Sequence, residues 1–172
     1  MFDDIDLVIF DLDGTLVKTE PLHKEAYKLA ESWILERYPE RLSESYLYET
    51  KCTFYLGLLS SSILEVNAPV YEIYKSLQQT DKKLVLATST TSNNARLIIE
   101  KLDLSFDLVL TGDQFEEKNK PAPDMFLAAC EHFKIGIYNT IVIEDSENGF
   151  MAAKLANISY LDANNIECQT LL

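Results

Sequence analysis

At 172 residues the chain has room for one domain, or for one domain carrying a modest insertion. An apolar fraction of 47% supports a sizeable core and excludes a disordered chain. With 28 acidic residues against 15 basic, the net charge of -13 argues against nucleic acid or an anionic membrane as the main partner, because phosphate would be repelled. A small anionic substrate stays admissible where a cation or a few lysines offset that field.

The first element in chain order is the apolar run Leu7 to Phe10, which reads as a strand. It is far too short for a signal peptide or a membrane span, so a cytoplasmic protein is expected. The run delivers the chain directly to two carboxylates, Asp11 and Asp13, followed by Gly14.

From about residue 17 to residue 80 no convincing strand appears, but helix signals do. Thr19 is placed to cap a helix that opens with Glu20 and Pro21 and carries Leu22, Ala26, Leu29, Ala30 and Trp33 on one stripe. A second helical region covers roughly 44 to 64, and a third covers 67 to 77 with Asn67 as its cap. The polar stretch QQTDKK, residues 78–83, reads as the return linker. Trp33, Tyr46, Tyr48 and Tyr55 are expected to pack within this insertion. His23 is expected to be structural or exposed, and Lys24, Lys28, Arg41 and Lys51 to be solvated.

Beyond the insertion, apolar runs at 84–87, 108–110, 141–143 and, more weakly, 158–161 read as further strands. They are continuous rather than alternating, the pattern of strands covered on both faces. Ala95, Ile98, Ile99 and Leu102 fall at helical spacing between them, as do Phe126, Ala129, Cys130 and Phe133. Pro123 marks a helix start, His132 sits near that helix's end as a surface residue, and Asn157 suits a left-handed helix stop. Cys52, Cys130 and Cys168 form no CxxC pair and fit reduced thiols, with Cys130 in the core. Alternating strands and helices predict an α/β protein with a parallel sheet covered on both sides.

In such sheets ligands bind beyond the carboxyl ends of the strands. Here the first strand ends in Asp11 and Asp13, and the second in Thr88 and Ser89. A loop carrying Lys118 and Lys120 follows the third, and the fourth ends in Glu144 and Asp145. Several carboxylates share one small site only if a cation neutralises them. An all-oxygen cluster suits magnesium, which keeps waters and accepts substrate phosphate as a further ligand. An EF-hand calcium loop starting at Asp11 is excluded, because Leu16 and Leu22 stand where Gly and Glu are required. Helix capping alone accounts for Thr88, Glu144 or Asp145 singly, but poorly for four polar strand ends together.

The ordered stretches DLDGTLV, LVLATST, KPAPD and IVIEDSENG resemble the four motifs of the haloacid dehalogenase superfamily, across residues 7 to about 157. The resemblance implies a Rossmann-like core, 1–16 and 81–172, with a small all-helical cap inserted at 17–80. It implies Asp11 as nucleophile and Asp13 as general acid and base. Mg2+ would be held by Asp11, by Asp13 through its backbone carbonyl, by Glu144 and by Asp145. Thr88, Ser89 and Lys120 would bind the phosphoryl group. Asp13 disfavours dehalogenation, since dehalogenases of the superfamily lack that second aspartate.

TEPLHKEAY, residues 19–27, resembles the opening cap helix of phosphoglycolate phosphatases and beta-phosphoglucomutases. Two positions depart from the pattern: Lys18 where an acid is common, and Asn119 where Gly often precedes the lysine. The cap is also short, and it lacks the glycine-and-basic loop with which mutases grip a sugar. The resemblance thus implies a Mg2+-dependent phosphatase of small phosphorylated metabolites. A phosphosugar mutase and a non-catalytic binding or regulatory protein on the same scaffold are the alternatives.

Overall fold

The computed structural model describes residues 2–166; Cys168 lies outside the described residues. Five strands form one parallel sheet: β1 (Leu7–Phe10), β2 (Lys83–Thr88), β3 (Leu108–Thr111), β4 (Thr140–Glu144) and β5 (Ser159–Asp162). Their order is β3-β2-β1-β4-β5, so β1 is central and the chain winds outward on both sides of it. This is the doubly wound α/β architecture, in which the first strand lies at the switch point where crevices open.

Burial explains the continuous apolar runs. β1 feeds both faces of the sheet: Val8 and Phe10 join one core cluster, while Leu7 and Ile9 join the other. On the Val8 side lie α3 (Ala68–Leu77) and α4 (Ser92–Leu102). The short α5 (Gly112–Phe115) follows β3. On the Leu7 side lie α6 (Asp124–Phe133) and α7 (Glu147–Ala156). Asn157 stops α7 in the left-handed region at φ 55°, as its sequence position predicts.

The remaining helices, α1 (Glu20–Arg37) and α2 (Glu44–Ser61), pair with each other. Their chain leaves and rejoins the core at adjacent points. Lys18 N–H donates to Glu65 C=O and Asn67 N–H to Leu16 C=O, both at close range, and Val17 and Val66 form an antiparallel bridge. α3, by contrast, lies on the sheet: Val70, Ile73, Tyr74 and Leu77 are buried with Phe10 and Leu86, and Tyr74 meets Phe10 edge to face.

Thr19 and Asn67 stand at the N-cap positions of α1 and α3, as the sequence predicts, but neither side chain bonds its helix. Thr19 donates its hydroxyl to the Asp13 carboxylate at 2.6 Å, a charge-assisted bond that orients the side chain toward Asp13. Asn67 makes no side-chain cap to α3 and is held through its backbone N–H by Leu16.

Candidate active site

Register brings the polar strand ends together. Phe10 aligns with Leu86 on one side and with Ile143 on the other, so Asp11 emerges between the ends of β2 and β4. Asp11, Glu144 and Asp145 offer carboxylate oxygens that all lie within 4.8 Å of one another. Lys120 reaches the same point from the loop before α6. Its Nζ donates to Asp11 Oδ1 at 2.6 Å, to Glu144 Oε1 at 2.6 Å and to Ala87 C=O at 2.8 Å. All three ammonium protons are therefore committed, and both the lysine and its carboxylate partners are buried. Lys118 is not part of this group; it is exposed and pairs with Asp124.

Close backbone packing fixes the two acids of β4's exit. Glu144 Oε2 accepts the N–H groups of Asp145 and Ser146 and the Ser146 hydroxyl. That fit requires Gly149, where a Cβ would lie 1.9 Å from the carboxylate. Asp145 accepts the Thr15 hydroxyl at 2.9 Å. Gly14, at φ 87°, lets the loop after β1 turn under it, and a Cβ there would lie 2.1 Å from Asp145 Oδ2.

The electrostatics of the cluster are unbalanced. Burial pushes the Asp11 carboxyl up to about 8, the Glu144 charge adds to this, and Lys120 opposes it. Burial also raises Asp145. Burial alone would lower Lys120, but the charges of Asp11 and Glu144 hold it above the ordinary lysine value. Three carboxylates against one ammonium leave an excess of negative charge in a space lined by oxygen. That donor set fits a hard divalent cation.

Asp13 points elsewhere. Its carboxylate accepts the hydroxyls of Thr19 at 2.6 Å and Tyr55 at 3.3 Å, with His23 Nε2 at 3.9 Å. It therefore faces the α1–α2 hairpin rather than the acidic trio. On the β2 side Thr88 is buried, and its Oγ accepts Thr90 N–H. Ser89 donates to Asn119 Oδ1, which also accepts the Lys120 N–H and so ties the two loops together.

Sequence reasoning missed the hairpin's contribution. Lys51 is not solvated but only 7% exposed, with Nζ 2.8 Å from His23 Nδ1. His23 stacks on Tyr55, ring centroids 4.0 Å apart, and Tyr55 uses its hydroxyl on Asp13 as well as packing. A signal existed. Tyr48, Lys51 and Tyr55 fall at i, i+3 and i+7, which places the lysine among aromatic rings on one helix face.

Fold and site together define an α/β enzyme whose polar groups gather beyond the central strand. A family model described as haloacid dehalogenase-like hydrolase matches residues 58–163, and another of the same description matches residues 5–68. The chain belongs to the haloacid dehalogenase-like hydrolases. It is 32% identical to the phosphorylated carbohydrates phosphatase of Thermotoga maritima, with 90% of this chain and 82% of that protein covered. Their 189 aligned positions exceed the 172 residues of this chain, so the alignment opens gaps within it. Among solved structures, a putative beta-phosphoglucomutase from Thermotoga maritima superposes with a TM-score of 0.75 at 27% identity, covering 97% of this chain and 98% of that one. CbbY from Rhodobacter sphaeroides, in complex with phosphate, shares the fold with a TM-score of 0.77 at 22% identity, covering 91% of this chain and 84% of that one.

Proposed function

We propose that this hydrolase cleaves the phosphomonoester of a small phosphorylated metabolite through an aspartyl-phosphate on Asp11, with Mg2+ as cofactor. The observation that carries the reading is the convergence of Asp11, Lys120, Glu144 and Asp145 at the exit of the central strand. Asp11, Asp145 and the Asp13 backbone carbonyl would hold the ion, with Glu144 beside them; bound there, it supplies charge neutralisation for the phosphoryl oxygens.

The chain's own groups account for the remaining steps. An Asp11 carboxylate oxygen attacks phosphorus as the bond to the leaving oxygen breaks. Lys120 keeps Asp11 aimed and offsets the charge that builds on the transferring group. Thr88 and Ser89, on the β2 side, supply hydroxyls to that group. Asp13 gives its proton to the leaving oxygen. As carboxylate it then takes a proton from the water that attacks the aspartyl-phosphate, releasing inorganic phosphate and restoring Asp11. Thr19, Tyr55 and His23 hold Asp13 on the side where a leaving group would lie.

The relatives support a sugar or other small metabolite as substrate, since one is named for phosphorylated carbohydrates. Hydrolysis is favoured over phosphoryl return to a sugar because the sequence of the insertion holds no glycine-and-basic loop of the kind with which mutases grip a sugar. Asp11→Asn should lose essentially all Mg2+-dependent phosphate release from an aryl phosphate, measured by phosphate assay. Undiminished turnover in that variant would remove Asp11 from the nucleophile's role.

A further inference from the structure

The last turn of α2 carries no basic residue of its own, yet its carbonyls are answered. Ser61 Oγ donates to Gly57 C=O at 2.9 Å, and Ser62 N–H donates to Leu58 C=O. Three further acceptors are taken by a residue of another helix. Lys101, in the last turn of α4, donates from Nζ to Leu59 C=O at 2.8 Å, to Ser60 C=O at 2.7 Å and to Ser62 C=O at 2.8 Å. All three ammonium protons thus close the negative end of a helix that lies 39 to 42 positions away in sequence. Bonds of this charge-assisted kind are about twice as strong as neutral ones.

The acceptors belong to the hairpin and the donor to the layer that covers the sheet. α4 is anchored there by Ala95 and Ile98, both fully buried, so Lys101 fastens α2 to a fixed element. One turn before Leu59 stands Tyr55, whose hydroxyl reaches the Asp13 carboxylate. At 3.3 Å that bond is already longer than a usual hydroxyl bond, so a slip of about 0.5 Å along α2 breaks it. The stitched feet at Leu16–Lys18 and Glu65–Asn67 join the two linkers to each other and leave the height of α2 to other contacts. We propose that Lys101 is a positioning residue for the hydrolysis: it pins α2 to α4 and, through Tyr55, sets Asp13 where it transfers its proton. The proposal rests on the phosphatase reading of Asp11 and Asp13.

The test measures kcat and KM for p-nitrophenyl phosphate with Mg2+ in the full chain, in Lys101→Met, Lys101→Arg and Tyr55→Phe, and in the double variant Lys101→Met with Tyr55→Phe. Lys101→Met keeps the aliphatic stem and removes only the donors. It should lower kcat by about tenfold and leave KM within about twofold, because misplacing a proton-transferring group costs rate rather than binding. Lys101→Arg restores a cation with several donors and should recover most of the loss. Since Lys101 acts through Tyr55, adding Lys101→Met to Tyr55→Phe should lower kcat by less than about twofold further. Losses that multiply in the double variant, a loss carried in KM, or an unchanged kcat in Lys101→Met overturn the role. Hydrogen exchange reads the pin without turnover: Lys101→Met should speed the amides of residues 55–62 by about tenfold while those of β1 stay unchanged, and Lys101→Arg should not. Equal exchange in the three chains, or an acceleration shared by β1, overturns the pin. Absence of turnover in the full chain would count against the phosphatase reading instead, and the exchange measurement still decides the pin.

Discussion

Individual residues here act through the bonds they accept. Asp107 precedes β3 and receives Leu84 N–H on one oxygen and Lys83 Nζ on the other, each at 2.9 Å. Partial burial pushes its carboxyl up, but these two donors outweigh it and leave the pKa below the ordinary 3.8. A carboxyl depressed in the folded state contributes stability above its unfolded pKa and loses it as pH falls through the folded value. Acid titration of the folded protein should therefore show a loss of stability below about pH 4 that Asp107→Asn makes shallower, read from urea midpoints at successive pH values. The residue scale is also where the sequence was most legible for the site. Asp11, Glu144 and Asp145 each end an apolar run, so strand geometry alone carries them to one edge. His23 and Lys51 were not legible. They meet across 28 positions of sequence on two helices, and nothing local records that meeting.

At the level of elements, α3 shows how one hydroxyl joins a helix to the sheet. Tyr74 donates to Ser105 C=O at 3.0 Å and accepts Ser105 N–H at 2.6 Å and Gln78 Nε2 at 2.7 Å. It thereby fixes the loop that leads into β3. Tyr74→Phe keeps the ring packing against Phe10 but removes the partner of Ser105 N–H and C=O, at a cost of about 0.5–1.5 kcal/mol for each bond lost. Chemical denaturation should show that loss with an unchanged m-value. Strand positions followed from the short apolar runs, and α1, α4 and α6 from the helical spacing of their apolar residues. The helix starts at Thr19 and Asn67 were legible too, but not that neither side chain bonds its helix: Thr19 turns its hydroxyl to Asp13, a meeting no local rule records. α2 was harder to orient. Its apolar residues are spread around the helix, with Leu56 exposed and Leu59 buried, so no single stripe announces its inner face.

For the molecule as a whole, charge is distributed unevenly. The stretch 20–61 carries seven acids and five bases, a net of -2 out of -13, so most of the excess lies elsewhere. A phosphorylated substrate meets the least repulsion on the side of the α1–α2 hairpin. At the edge of the core, the proposed metal site predicts a folding stability that depends on Mg2+. Mg2+ at about 100 times its Kd should stabilise the protein by about 2.7 kcal/mol, seen as a rise in Tm. Asp145→Asn removes the half-buried member of the acidic trio's like charges. It should melt higher than the parent without Mg2+ and show little further rise when Mg2+ is added, by differential scanning fluorimetry. A parent Tm indifferent to Mg2+ would contradict the proposed metal site.

The side-by-side crossing at Leu16–Lys18 and Glu65–Asn67 has an evolutionary consequence. Seen from the sheet, everything between these points is one closed excursion whose two feet are stitched together. Enlarging such an excursion costs little, about 0.6 kcal/mol per doubling of its length. Lineages can therefore lengthen or trim this excursion while the sheet beneath stays in register.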